Sequence, residues 1–182
     1  MIINLKINDI EIPLDSSETL EQTFQPIAGE ALRRLNNGTA VKMVSWTNKY
    51  RITTNGSGRI PLPLTGIDYS QPVIMDCSAP MSVHGATNSI ALPAGFTYNA
   101  INYTSWRDDV SMIGHAVVNG KLVHSAITSI VDTIVTLATK PGANGYQVTY
   151  WPRFLAYAGK PTESQGLRGG DRRLWEILAE TV

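Results

Sequence analysis

The sequence holds a single cysteine, Cys77. No internal disulfide can form, and folding in a reducing compartment is expected. Cys77 closes the apolar run Val73 to Cys77 with no histidine beside it, the setting of a buried structural thiol and not of a nucleophile. An excess of one charge is missing too: fifteen Lys and Arg balance fifteen Asp and Glu. Nucleic-acid affinity comes largely from neutralising phosphates, so this balance argues against sequence-specific nucleic-acid binding. It also gives little colloidal repulsion, which a protein built to assemble tolerates. Charged residues make up only 16% of the chain, below the roughly 25% of an average soluble domain. Either surface is covered by other subunits, or Thr, Ser and Asn replace charge on the outer faces of β-structure. No apolar run approaches the ~20 residues of a membrane-spanning helix. The opening MIINLKINDIEIPL alternates polar and apolar residues without a signal-peptide core. The expectation is a soluble, unprocessed chain with no membrane segment.

Signatures of catalysis are equally sparse. The nucleophile elbow G-x-S-x-G is absent, and Gly56-Ser57-Gly58 reads as part of a turn at Asn55–Gly58. Asp68, Asp76, Asp108 and Asp109 are the carboxylates weighed for glycoside hydrolysis, but nothing in the sequence sets two of them across a cleft. Neither phosphate-binding glycine motif is present. The stretch Gly166 to Arg173 is glycine-rich and basic, and without a strand before it or a helix after it reads as a surface loop. Its Arg168, Arg172 and Arg173 are suited to carboxylates on a neighbouring subunit. Four tryptophans, Trp46, Trp106, Trp151 and Trp175, with seven tyrosines, fit a sugar-binding face or, equally, a core or a subunit interface.

The histidines are His84, His115 and His124. Asn119-Gly120 is the preferred pair for a two-residue hairpin turn, and it sets His115 opposite His124 at a non-hydrogen-bonded position, where side chains are close. Ile113, Val117, Leu122 and Ala126 surround the pair on that face. Zinc needs a third or fourth ligand, which nothing nearby supplies, so a packed neutral pair is the first reading. A pH-sensitive pair is the second, because two protonated rings repel. No catalytic, cofactor-binding or metal-binding residue is assigned, and no cofactor and no enzymatic activity are expected.

What is there reads as β-structure. Ile2 to Ile7 and Ile10 to Leu14 flank an Asn8-Asp9 turn. Thr19 to about Gln25 is extended, and a short helix is expected over Gly29 to Leu35, stopped by Asn37-Gly38. Thr39 to Thr54 is a long strand, followed by the Asn55–Gly58 turn. Pro61 and Pro63 make the next piece a loop or an edge. Pro72 to Cys77 is a strand. Pro80 to Asp109 lacks periodicity and reads as a long loop, of a length that is uncommon unless functional. Met112 to Val118 and Lys121 to Ile127 form the Asn-Gly hairpin. Thr133 to Thr139 and Tyr146 to Ala158 are strands, Gly159 to Arg172 is a loop, and Leu174 to Thr181 is a strand or short helix. At 182 residues this fits one domain over 1–182. The class is mainly β: an antiparallel sandwich or small barrel with one short flanking helix and long loops.

These residues also carry a resemblance. A basic-apolar segment ending at Asn37-Gly38 leads into a Lys/Trp strand. Gly56 to Pro61 and Asp68-Tyr69-Ser70-Gln71-Pro72-Val73 then lead to Cys77. Further along come the hairpin near Val117–Leu122, the turn Gly142–Tyr146, Tyr150-Trp151-Pro152-Arg153, and the ending Ala179-Glu180-Thr181-Val182. From about Leu20 onward the chain resembles small tail or baseplate structural proteins of tailed bacteriophages, of the tail-tube, tube-initiator and distal-tail kind. It departs from them at Thr181, where a second acidic residue is usual, and in the basic glycine-rich loop Gly159–Arg172. The resemblance implies a non-enzymatic virion protein, assembled in the host cytoplasm as a ring, most often hexameric. Other tail or baseplate proteins would be its partners, and Met81–Asp109 and Gly159–Arg172 would touch neighbouring subunits. A carbohydrate- or receptor-binding β-sandwich at the tail tip is the alternative. A third class, a hydrolase accessory to host-wall penetration, needs a paired-carboxylate or metal cleft.

Overall fold

The computed structural model describes residues 3–165 and 172–182. Strand accounts for 60% of the chain and helix for 2%, so the protein is mainly β. All strand pairings described are antiparallel, and no sheet closes into a barrel. In chain order the strands are β1 (Lys6–Ile7), β2 (Ile10–Glu11), β3 (Thr19–Arg34), β4 (Ala40–Gly58), β5 (Val73–Asp76), β6 (Met81–Gly85), β7 (Ser89–Ala91), β8 (Phe96–Tyr98) and β9 (Ile101–Tyr103). They continue with β10 (Ile113–Val118), β11 (Lys121–His124), β12 (Ile127–Val131), β13 (Ile134–Leu137), β14 (Ala143–Tyr150), β15 (Arg153–Ala158), β16 (Thr162–Gln165) and β17 (Arg173–Thr181). The one helical turn among the described residues is a 3-10 turn at Leu14–Ser16. The chain forms two compact units, 1–11 with 74–155, and 12–73 with 156–182.

The first unit is a β-sandwich. A four-stranded sheet, β11-β10-β14-β6, and a three-stranded sheet, β12-β13-β7, share one apolar core. Ala116, Tyr146, Val148 and Tyr150 come from the first sheet, Ile90, Val135 and Leu137 from the second, and Leu92 and Trp106 from connecting segments. Alternation along β14 puts those three residues inside and leaves Gln147 and Thr149 on the other face. Gly114 lets the sheets approach, since a Cβ there would overlap Leu137 and the Ser125 carbonyl. Two hairpins turn as expected, with Asn8 and Asp9, and Asn119 and Gly120, all at positive φ. Two more went unread in the sequence: β8–β9, turning at Asn99-Ala100, and β12–β13, turning at Asp132.

The expected long loop over Pro80–Asp109 is thus a correction, since it contains β6, β7, β8 and β9. These strands are three to five residues long, too short for a period of two to stand out from the Gly, Asn and Ser between them.

In the second unit β17 pairs with β4 from Arg173↔Gly58 to Glu180↔Arg51, and β4 pairs with β3 on its other side. β16 and the end of β15 pair with successive parts of β17's free edge. Trp175, Ile177 and Ala179 point inward and are buried; Leu174 and Leu178 point outward. The expected helix at Gly29–Leu35 does not form, because β3 continues through it to Arg34. Its helix-like spacing of Leu32 and Leu35 has no surface to pack against, and both side chains are exposed. Pro26 is accommodated because β3 is an edge strand. The expected turn at Asn55–Gly58 is also strand, the end of β4. Its glycines serve close approach: a Cβ on Gly56 would overlap the Trp175 indole, and one on Gly58 the backbone of Asp15 and Ser16. The expected loop Gly159–Arg172 holds β16, while 166–171 lie outside the described residues.

Candidate functional site

The histidine pair is where the sequence places it. His115 faces His124 across β10–β11, with ring centroids 6.2 Å apart and the rings edge to face. The row continues across the sheet: His115 pairs with Gln147 on β14, and Gln147 with His84 on β6. All three histidines therefore stand in one line on the outer face of the four-stranded sheet. The Nδ1 of His115 is buried and has no hydrogen-bond partner. Gln147 donates to Ser82 Oγ at 2.9 Å. Among the described residues no three His, Cys, Asp or Glu side chains converge on a point where a metal would sit.

The carboxylates weighed for hydrolysis are held by arginines. Arg153 reaches Asp76 through two nitrogens, at 2.5 and 3.1 Å, and Asp108 through a third at 3.1 Å. Arg107, almost fully buried, grips both oxygens of Asp109 at 2.9 and 2.8 Å and donates to the carbonyls of Asn4 and Cys77. Lys6 completes Asp109's shell at 2.6 Å. Asp108-Asp109 is an exposed turn whose carboxylates join an ion network. Arg107 holds the Asp109 carboxyl well below the usual carboxylate range, burial opposes this, and Lys6 adds to it. Asp68 accepts from the backbone and hydroxyl of Ser70, a turn-forming contact. Arg172 pairs with Glu18 at 3.0 Å and Arg173 with Glu163 at 3.8 Å within the chain; Arg168 lies outside the described residues. Cys77 is buried. Trp106 and Trp175 are buried, and Trp151, half-buried, donates to the Ser78 carbonyl.

The second unit presents a different surface. β17 covers β4 only from Arg51 to Gly58. Beyond that, β3 and β4 continue as a two-stranded arm, turning at Gly38 with φ +82°. Along the ribbon Leu32 pairs with Lys42, Glu30 with Val44, Ala31 with Met43 and Arg33 with Val41. Apolar side chains therefore stand on both of its faces. Leu32 is 70% exposed, Met43 55% and Trp46 46%. The segment 27–49 carries Arg33, Arg34, Lys42 and Lys49 against one carboxylate, Glu30, which Lys42 binds at 2.7 Å.

The outer face of the sheet that the arm extends is also partly apolar. Tyr157, Leu174 and Leu178 stand on it, each at least half exposed. One cross-strand row runs Thr162, Glu176, Asn55, Glu21, and another Tyr157, Glu180, Arg51, Gln25. Two shallow hollows mark this face, one beside Leu174 and Glu176 and one beside Tyr157, Leu178 and Glu180.

No family model matches the chain, and neither a curated protein nor a solved structure matches it. The sequence did not single out the arm, because the apolar spacing of Gly29–Leu35 read as a helix. The signal that would have found it is the symmetry about Asn37-Gly38: extended, partly apolar segments on both sides of a turn pair read as a hairpin.

Proposed function

We propose that this chain is a non-enzymatic structural subunit of a bacteriophage tail or baseplate, assembled in the host cytoplasm and carried in the virion. In this reading copies pack side by side into a ring around the tail axis, hexameric as in the proteins it resembles, and contact other tail or baseplate proteins. One observation carries it: the projecting arm with Leu32, Met43 and Trp46 exposed. A two-stranded ribbon alone is marginally stable in water, and large apolar side chains exposed on both of its faces are surface that an assembly would cover. The position of β3 at the end of its sheet supports the same reading, since pairing or covering an edge strand in an assembly removes an aggregation hazard. The arginine-held carboxylates favour a structural role over an acid–base pair, because both members of such a pair must exchange protons.

Carbohydrate binding at a tail tip needs exposed, coplanar aromatics, and the burial of Trp106 and Trp175 weighs against it. Light scattering of the purified protein with negative-stain imaging tests the proposal. Rings, or tubes that grow with concentration, are expected. A strict monomer at millimolar concentration overturns self-assembly, and glycan-array binding by that monomer would favour the tail-tip reading.

A further inference from the structure

Resting on the assembly reading above, we infer that the arm of one copy docks across the outer face of the β17–β4–β3 sheet of a second copy. Both surfaces are incomplete in complementary ways. The arm offers large apolar side chains and four cations to one anion. The sheet face offers Tyr157, Leu174 and Leu178 beside two hollows, and the described strand residues on it carry Glu21, Glu176 and Glu180 against Arg51. Arg51 is already engaged with Glu180 at 2.6 Å, so the row Thr162, Glu176, Asn55, Glu21 is the negative part of the face. Opposite potentials on two surfaces select partners and fix register, while apolar contact supplies most of the affinity.

The occupant is a second copy because β3 and β4 each pass as one strand from this face into the arm, staying paired on both sides of the bulges near Gly29. An arm that is a continuation of the sheet's own strands cannot lie across that sheet without breaking the pairing that forms it. The contact joins two different surfaces, so it is heterologous: each copy gives an arm and receives one. Such a contact closes into a ring or propagates as an open file, depending on its rotation.

A charge exchange tests the pairing. One double variant reverses the arm, Arg33→Glu with Arg34→Glu; the other reverses the face, Glu21→Lys with Glu176→Lys. All four positions are on the surface. Alone, each variant sets like charges against each other and should weaken self-association by more than about tenfold at physiological salt. Mixed in equal amounts, acidic arms meet basic faces and basic arms meet acidic ones, so assembly should return. Return on mixing also shows that both variants are folded. If the wild type assembles and both variants assemble equally well, this docking is wrong and the assembly reading stands. If both variants are monomeric and the mixture stays monomeric, the two surfaces are not each other's partners. A wild type that never assembles overturns the assembly reading and the docking with it.

Discussion

The indole of Trp175 lies over the backbone of Gly56 on the neighbouring strand, in the space a Cβ would occupy. Its Nε1–H donates to the Ser16 carbonyl at 2.5 Å, so moving the ring away from Gly56 would strain or break that bond. Gly56→Ala should therefore destabilise the protein by about 2–3 kcal/mol through overpacking, read as a lower urea midpoint. A midpoint within error of the wild type would mean that the ring moves freely.

Ala100 offers the reverse case. It sits at φ +62° in the β8–β9 turn, a region costly for any side chain with a Cβ. Ala100→Gly removes that strain while adding entropy to the unfolded chain. We expect a net gain of about 0.5–1 kcal/mol in thermal or urea unfolding; a loss would show that the turn is not strained.

The Arg153–Asp76 pair should be costly to halve. Asp76 is nearly fully buried and depends on Arg153 for two of its contacts. Arg153→Met leaves a buried, uncompensated carboxylate and should cost about 3–5 kcal/mol. Adding Asp76→Asn to that variant should recover part of the loss, and a double-mutant cycle measures how much. Additive effects would show that the two residues are not coupled.

Asp109 predicts the acid limb of stability. Its carboxyl is held below its unfolded value by Arg107 and, secondarily, Lys6. A carboxylate with a depressed folded pKa contributes stability that is present above the unfolded value, near pH 4, and is lost as pH falls toward the folded one. Wild type should lose more stability than Asp109→Asn between about pH 4 and pH 2, by about 1 kcal/mol after allowing for solvent screening. Parallel pH profiles for the two proteins would remove Asp109 from the account.

The sequence made local structure legible where a single turn governs it. Asn119-Gly120 fixed the register that puts His115 opposite His124, and Asn8-Asp9 fixed the first hairpin. The rest of that histidine row needed the pairing of β10 with β14 and of β14 with β6, which no local pattern encodes. Gly56 and Gly58 show the same limit. Glycine in sequence reads as a turn residue, whereas here Trp175 and the Ser16 backbone, both distant along the chain, demand it. The arm was hidden for the opposite reason: its exposed leucines obey helical spacing, and their failure to bury anything emerges only in three dimensions.

The threading of the second unit sets a timetable. β3 and β4 are made early, yet β4 gains its other neighbour only when β17 appears, after the whole of 74–155 has been synthesised. On the ribosome, the ribbon waits with a bare edge along Arg51–Gly58 while its tip already presents Leu32 and Met43. Unpaired edges and apolar surface are what neighbouring nascent chains on one message would meet first. Translation speed across the intervening segment therefore governs how long the most association-prone stretch of the chain stays uncovered.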